Sequence, residues 1–435
     1  MQEAPKTFFE RLKFIGPSVV VTGSVVGSGS IVMTPLLGAA AGFMLLWWLL
    51  LSMWSKPIIQ AEIARYIVVA DMPGFKTTIQ GKTTSWLVWF MFIGVIPSIA
   101  GMGGLAGAVA EAGNTMFPFL TVEIWVVISC LVTWMLLYFG SYKSLEKTLL
   151  AMVLFFSFMT MIIAIAMQST DYQVSVAQVS SGLSFSFPSG YLPLALAVFG
   201  FTGISYGEIM AYTYWCLEKG YAENSGNNVE ETQHWIKTMQ TDVWVTVFFI
   251  TLGTLPFFFL GAGVLYNVPE LQQALATSSF WDIDVISSLQ NMFSLVLGGW
   301  AKWLFIVLAF FVLFSTLLSG TAAFTRTISD YLISMGLVKE QANTRKKLIK
   351  LIAFLIPFLS GLFYFVLPNP FTLLLIAGIW AAMGLPIVNI GALYLVNKLE
   401  PELQPKITTK FILWASLVLQ LSMAVLIIDD ILLAF

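Results

Sequence analysis

Apolar positions along this chain run in long blocks, without the alternation that marks a half-buried strand or a one-sided helix, so the segments meet apolar surroundings on most sides. Eleven blocks approach or exceed the ~20 residues that a helix needs to cross a hydrocarbon layer. They cover residues 14–38, 43–68, 85–112, 120–140, 145–167, 191–216, 241–266, 296–328, 349–367, 370–397 and 409–430. The pattern predicts an all-α polytopic membrane protein in which residues 14–435 form one transmembrane domain. Residues 1–13 mix Glu3, Lys6, Glu10, Arg11 and Lys13 with Phe8, Phe9 and Leu12, as an amphipathic segment lying in the membrane interface does.

Composition supports this reading: 58% of residues are hydrophobic and 10% charged, against about 25% charged in soluble domains. A net charge of −2 leaves no basic surface for nucleic acid. Cys130 and Cys216 fall in or beside apolar blocks and form no disulfide framework. The single histidine, His234, falls in a polar stretch read as a loop over 217–242, which excludes a histidine metal site or proton relay at mid-membrane.

Lysine and arginine are confined to alternate loops. Lys6, Arg11 and Lys13 precede the first block, Arg65, Lys76 and Lys82 follow the second, and Lys143 and Lys147 follow the fourth. Lys219 and Lys237, then Arg326 through Lys350, then Lys398, Lys406 and Lys410 continue the alternation. Glu123, Asp171, Glu270, Asp282, Asp284, Asp429 and Asp430 occupy the other side. The bias predicts a cytoplasmic amino terminus, an external carboxyl terminus and an odd number of spans, in a plasma (inner) membrane.

Two basic residues escape this pattern. Lys302 is close enough to a membrane edge to snorkel. Lys56 lies near the middle of the second block, where a charge costs about 2.5–3.5 kcal/mol on insertion scales and must face the bundle interior or a wet cavity. Ser52, Lys56 and Gln60 share its helical face, and Pro57 removes a backbone donor beside it.

The first block contains Thr22-Gly23-Ser24-Val25-Val26-Gly27-Ser28-Gly29-Ser30, and the sixth contains Gly200-Phe201-Thr202-Gly203-Ile204-Ser205-Tyr206-Gly207-Glu208. Paired polar, glycine-rich interruptions at matching depth point to a transporter binding site, because unwound backbone is tolerated only where it lines a cavity. Close packing through small residues is the plainer alternative. Glu208 is the one carboxylate embedded in either interruption, which makes it the leading candidate for holding a cation, with Tyr206, Tyr212, Tyr214 and Trp215 near it in sequence. Its partner is a cation substrate, a proton or Lys56.

From Gly16 to Arg65 the chain resembles the Nramp family of divalent-metal transporters, through Gly16-Pro17, Gly38, Gly42, Leu45-Leu46-Trp47, Ser52, Gln60 and Ala64-Arg65. Gly200, Thr202 and Leu385-Pro386 fit further family positions. The resemblance implies a LeuT-type fold with inverted repeats over about 14–167 and 191–398, an added eleventh span over 409–430, and alternating-access transport. The family's D-P-G-N is replaced by Gly27-Ser28-Gly29-Ser30, its M-P-H by Ile204-Ser205-Tyr206, and its tenth-span glutamine falls near Gly378. Acidic and histidine residues for proton movement are missing from residues 85–110 and 349–367.

What remains is an oxygen-only set: Gly27, Ser28, Ser30, Ser205, Tyr206 and Glu208, with Lys56 nearby. Such a set suits a hard divalent ion like magnesium better than manganese or iron, with Glu208 as its ligand. It also suits a small organic amine or zwitterion. In the wider LeuT-type fold, Ser315, Thr316 and Ser319 stand where hydroxyls can hold sodium, so sodium or a proton is the expected coupling ion. The expectation is a secondary transporter of a cation, by ancestry a divalent metal, with the organic solute as runner-up and a non-transporting membrane sensor third. The sequence offers no nucleophile and base pair and no phosphate loop, so an enzyme or ATP-driven pump is not expected.

Overall fold

The computed structural model describes residues 3–70, 92–140, 142–188, 190–225, 228–269, 271, 285–339, 341 and 343–433. Lys76, Lys82, Glu270, Asp282, Asp284, the start of the third block and the Ser28 side chain lie outside the described residues. Described secondary structure is helical throughout. A short helix, Phe8–Leu12, is closed by a Thr7–Glu10 capping box; Phe8 and Phe9 are 57% and 78% exposed, as an interfacial segment requires.

Span 1 divides into 1a (Pro17–Val25) and 1b (Thr34–Ala41), joined through a π-helical turn, Ser28–Met33. Span 2 also divides, into Leu46–Ser55 and Pro57–Ala70, because Pro57 cannot donate into the preceding turn. Spans 3, 4 and 5 are Val95–Met116, Val122–Phe139 and Tyr142–Met167. Span 6 divides into 6a (Leu192–Phe201) and 6b (Tyr206–Lys219). Spans 7 to 11 are Val229–Gly263, Ala301–Ser334, Thr344–Val366, Pro370–Val396 and Ile407–Leu433.

Every residue of 1a and 1b is buried, and so is 6a from Leu194 to Gly200, so the two broken spans form the centre of the bundle. Span 3, whose glycines admit close neighbours, packs against spans 8, 9 and 10. Spans 4, 9 and 11 form part of the outer wall. Leu131, Met135, Leu362, Trp414 and Val418 are exposed there, an apolar surface that suits lipid. Nine helical stretches among the described residues are long and apolar enough to cross a membrane. The first of them, Pro17–Ala70, carries both span 1 and span 2. Span 5 contributes a shorter apolar helix, Phe158–Met167.

The stretch 217–242 is not a loop throughout. Span 7 is already helical at Val229, so His234 rides on a helical extension. The Asn228 side chain accepts from the Glu231 amide at 2.8 Å, and Glu230 and Glu231 complement the amino-terminal dipole; these signals start a helix before the apolar run begins. Two connecting helices, Val176–Ser181 and Val285–Leu297, likewise lie outside the expected spans.

Candidate functional site

The breaks are short and differ in form. In span 1 the regular α-helix ends at Val25, only Val26 and Gly27 depart from helical structure, and Ser28 to Ser30 belong to the π turn. The Gly27 amide turns to the Val25 carbonyl at 2.9 Å, so the Gly23 carbonyl loses its ordinary helical donor. In span 6 the chain is irregular from Thr202 to Ser205, and Gly203 adopts a left-handed φ of +77° that favours glycine.

Ser205 caps 6b. Its amide donates to Glu208 Oε2 at 2.8 Å, and its hydroxyl donates to the same oxygen. Ser24, from the last turn of 1a, donates to Glu208 Oε1 at 3.0 Å. Glu208 therefore has a structural task as the third residue of a capping box, and it also joins the two broken spans. A carboxylate has about four acceptor sites, and these three contacts leave capacity for a ligand.

Glu208 is partly buried and faces a cavity bounded also by Val25, Met102, Phe201, Tyr206, Met210 and Phe324. Including its opening to solvent the space is about 890 Å³, of which about 70 Å³ can be reached by the centre of a water molecule. A single water needs about 10–15 Å³ by that measure, so the cavity is roomy enough for several. Ser24, Ser98, Ser205 and Thr316 supply hydroxyls, and Glu208 is the only charged side chain among its described lining residues. The cavity continues along span 8 past Ala323 and Thr327 to Tyr331, toward the end of the bundle where Arg326 pairs with Glu218 at 2.5 Å and Arg345 with Asp330 at 2.9 Å.

Of the remaining candidates, Tyr206 and Thr316 share the cavity with Glu208, and the others are not among its lining residues. The Tyr206 hydroxyl lies 2.9 Å from Ser98 Oγ, which ties 6b to span 3. Gly27 packs so tightly on Thr316 that any Cβ there would overlap the threonine hydroxyl. Ser30 is fully buried and lies 2.7 Å from Thr254 Oγ1 of span 7, away from the cavity. The fully buried Lys56 donates to the carbonyls of Phe199 and Thr202, both at 2.6 Å, and makes no ion pair with Glu208.

Ser315 and Thr316 converge on the orphaned Gly23 carbonyl, at 3.1 and 3.3 Å, and also reach the Val312 carbonyl, at 2.7 and 3.2 Å. Four oxygens from spans 1a and 8 are thus gathered in one buried cluster. Ser319 instead bonds its own helix, at the Ser315 carbonyl.

Sequence reading missed Asp242. This fully buried carboxylate on span 7 accepts from the Gly16 amide at 3.1 Å, the Ser18 amide at 2.8 Å and the Tyr212 hydroxyl at 2.8 Å, capping the start of 1a from another span. Its position as the first acid inside the 241–266 apolar block was the available signal. Met102 and Met210 also bring sulfur to the cavity, although the family's motif methionine is absent.

Two broken helices meeting at a central cavity define the architecture of a membrane transporter of LeuT type, here with an eleventh span. Residues 18–429 match the natural resistance-associated macrophage protein-like family, and the chain belongs to this Nramp family of membrane transporters. Solved structures share the fold at low identity. A manganese transporter from Eremococcus coleocola, in complex with an aromatic bis-isothiourea substituted compound, matches at TM-score 0.71 and 14% identity, covering 98% of this chain and 89% of that one. MhsT in complex with L-phenylalanine matches at 0.56 and 13%, covering 98% and 99%. A Na⁺-coupled sialic acid symporter in a substrate-bound outward-open state matches at 0.57 and 12%, covering 96% and 91%. Among curated proteins none matches the chain in sequence.

Proposed function

We propose that this transporter carries a small organic amine or zwitterion by alternating access, with Glu208 receiving its cationic end and sodium as the coupling ion. The observation that carries the reading is the cavity itself: one carboxylate, seven hydroxyl side chains, and walls otherwise built from Val25, Phe201, Phe324 and other apolar groups. Such a lining matches an organic solute with one charged end. A dehydrated divalent ion needs six or more protein oxygens around it, and here the carbonyls of 6a that face Lys56 are already engaged. Among the described residues no three His, Cys, Asp or Glu side chains gather as metal ligands. Among solved structures that share the fold, one is described in complex with L-phenylalanine, one as a sialic acid symporter and one as a manganese transporter.

Sodium is proposed at the cluster of the Gly23 and Val312 carbonyls with Ser315 and Thr316, because four uncharged oxygens suit a monovalent hard ion. Ser319 stands outside it, because its hydroxyl reaches the Ser315 and Thr316 carbonyls and not Gly23. The loop bias supports a cytoplasmic amino terminus in a plasma membrane, and on that orientation the cavity would open inward.

A second reading, transport of a hard divalent ion such as magnesium, is favoured by the meeting of Ser24, Ser205 and both Glu208 oxygens in one place. Thermal unfolding of the purified protein against amines, zwitterions, Mn²⁺ and Mg²⁺, with and without sodium, separates the two. Stabilisation by an organic solute that grows with sodium and vanishes in Glu208→Gln is the expected result. Stabilisation by Mg²⁺ or Mn²⁺ alone transfers the conclusion to the second reading.

A further inference from the structure

Span 6a ends at Phe201, and its last carbonyls carry the negative end of the helix dipole with no following turn to satisfy them. The Thr202 amide returns to the Val198 carbonyl at 2.7 Å, but the Phe199 carbonyl and the carbonyl of the fully buried Thr202 need donors from elsewhere. Span 2 supplies them. The Ser52 hydroxyl lies 3.2 and 2.7 Å from these two oxygens, and the Lys56 ammonium lies 2.6 Å from each. The ammonium also stands 5.1 Å from the centre of the Phe199 ring.

Two carbonyl oxygens beside an aromatic face form a niche for a monovalent cation. Lys56 is fully buried there, and among the described residues no carboxylate lies within ion-pair distance of it. An ordinary buried lysine touches an acid, whereas this one touches backbone carbonyls, as a free ion would, and feels the charge of Glu208 only from beyond ion-pair distance. Local sequence explains why the ammonium can reach. Span 2 is interrupted at Lys56 itself by Pro57, and Gly203 lets the span 6 backbone approach so closely that a Cβ there would lie 2.9 Å from Met53 Cα.

We propose that Lys56 is a tethered cation that permanently fills a monovalent-ion niche at the end of span 6a, locking span 2 to span 6a and making this niche independent of any free ion. Lys56 is then a positioning residue for the break, and the side chain that keeps inorganic cations out of the 6a carbonyls. The inference holds whichever solute is carried.

The test uses two variants of the full chain. Lys56→Ala removes three carbons and the ammonium, which n-propylammonium replaces; 1-propanol offers a similar shape without charge. Unfolding temperature in detergent is expected to fall by several degrees in Lys56→Ala, to recover saturably with propylammonium and not with propanol, and to be unchanged by either in wild type. Lys56→Met keeps the volume and loses the charge, and is expected to be as impaired as Lys56→Ala, or to resist purification altogether. Equal rescue by propanol overturns the proposal, because packing alone then matters. A Lys56→Met protein that unfolds like wild type overturns it too, whatever the rescue experiment shows.

Discussion

Ser24 and Glu208, 184 positions apart in sequence, meet where the two broken spans face each other, with the serine hydroxyl donating to the carboxylate at 3.0 Å. This contact links the end of 1a to the start of 6b across the cavity, so a ligand that draws on Glu208 also acts on span 1. Alternating access requires such coupling between a bound solute and the moving helices.

Replacing Glu208 by glutamine retains an acceptor for the Ser205 amide, so the cap of 6b survives at a cost of about 1 kcal/mol or less. The negative charge facing the cavity is lost. Solute uptake in proteoliposomes is expected to fall by about tenfold or more, the scale of one charge-assisted hydrogen bond, while unfolding temperature changes little. Parallel loss of both would mean that Glu208 serves the fold alone.

Gly27 and Thr316 are predicted to be coupled. Gly27→Ala forces a methyl group onto the Thr316 hydroxyl, displacing the side chain that helps gather the four-oxygen cluster. The single variant should lose stability and sodium stimulation together. Adding Thr316→Gly removes the hydroxyl and also the Cβ, which would itself lie 2.6 Å from the new methyl group, so the double variant should regain part of the lost stability, with an interaction term of about 0.5–3 kcal/mol, and remain insensitive to sodium. Simple additivity in a double-mutant cycle of unfolding free energies would place the two residues out of contact.

Asp242 holds the start of 1a, and truncating it strands the Gly16 and Ser18 amides in the interior and leaves the Tyr212 hydroxyl only the longer bond to the Met239 carbonyl. Asp242→Ala should cost about 3 kcal/mol or more, and Asp242→Asn, which keeps one acceptor oxygen, distinctly less. Urea or thermal unfolding of the two variants against wild type checks the ranking; equal losses would show that the carboxylate does not act through acceptance.

The cavity's course along span 8 predicts which side it opens to. Both native cysteines are buried, so a single added thiol gives a clean signal. Thr327→Cys, in the cavity wall on the Arg326 side of span 8, should react with a membrane-impermeant maleimide from the cytoplasmic face and be protected by bound solute. Reaction only from the external face would reverse the proposed orientation.

Span positions and both interruptions were legible because each rests on a local property: about 20 apolar residues in a row, or several glycines and serines within them. The extent of the breaks was not. Whether Ser28 to Ser30 unwind or continue as a π turn depends on how closely spans 7 and 8 press on them, and the neighbours Thr254 and Thr316 are remote in sequence. The same distance hid the roles of Lys56 and Asp242. A buried charge announces itself by its depth in an apolar block, but the backbone groups that hold it, Phe199 and Thr202 for one, Gly16 and Ser18 for the other, carry no mark in the sequence. His234 was misplaced for a different reason, since the capped polar start of span 7 looks like loop when hydropathy alone sets the boundary.

Uptake into proteoliposomes under an inward sodium gradient, run in parallel for small amines, zwitterions, Mn²⁺ and Mg²⁺, tests the central assignment most directly. Saturable, sodium-stimulated accumulation of an amine or zwitterion, absent in Glu208→Gln and with neither metal accumulated, is the predicted outcome. Saturable accumulation of Mn²⁺ or Mg²⁺ with every organic solute inert contradicts it.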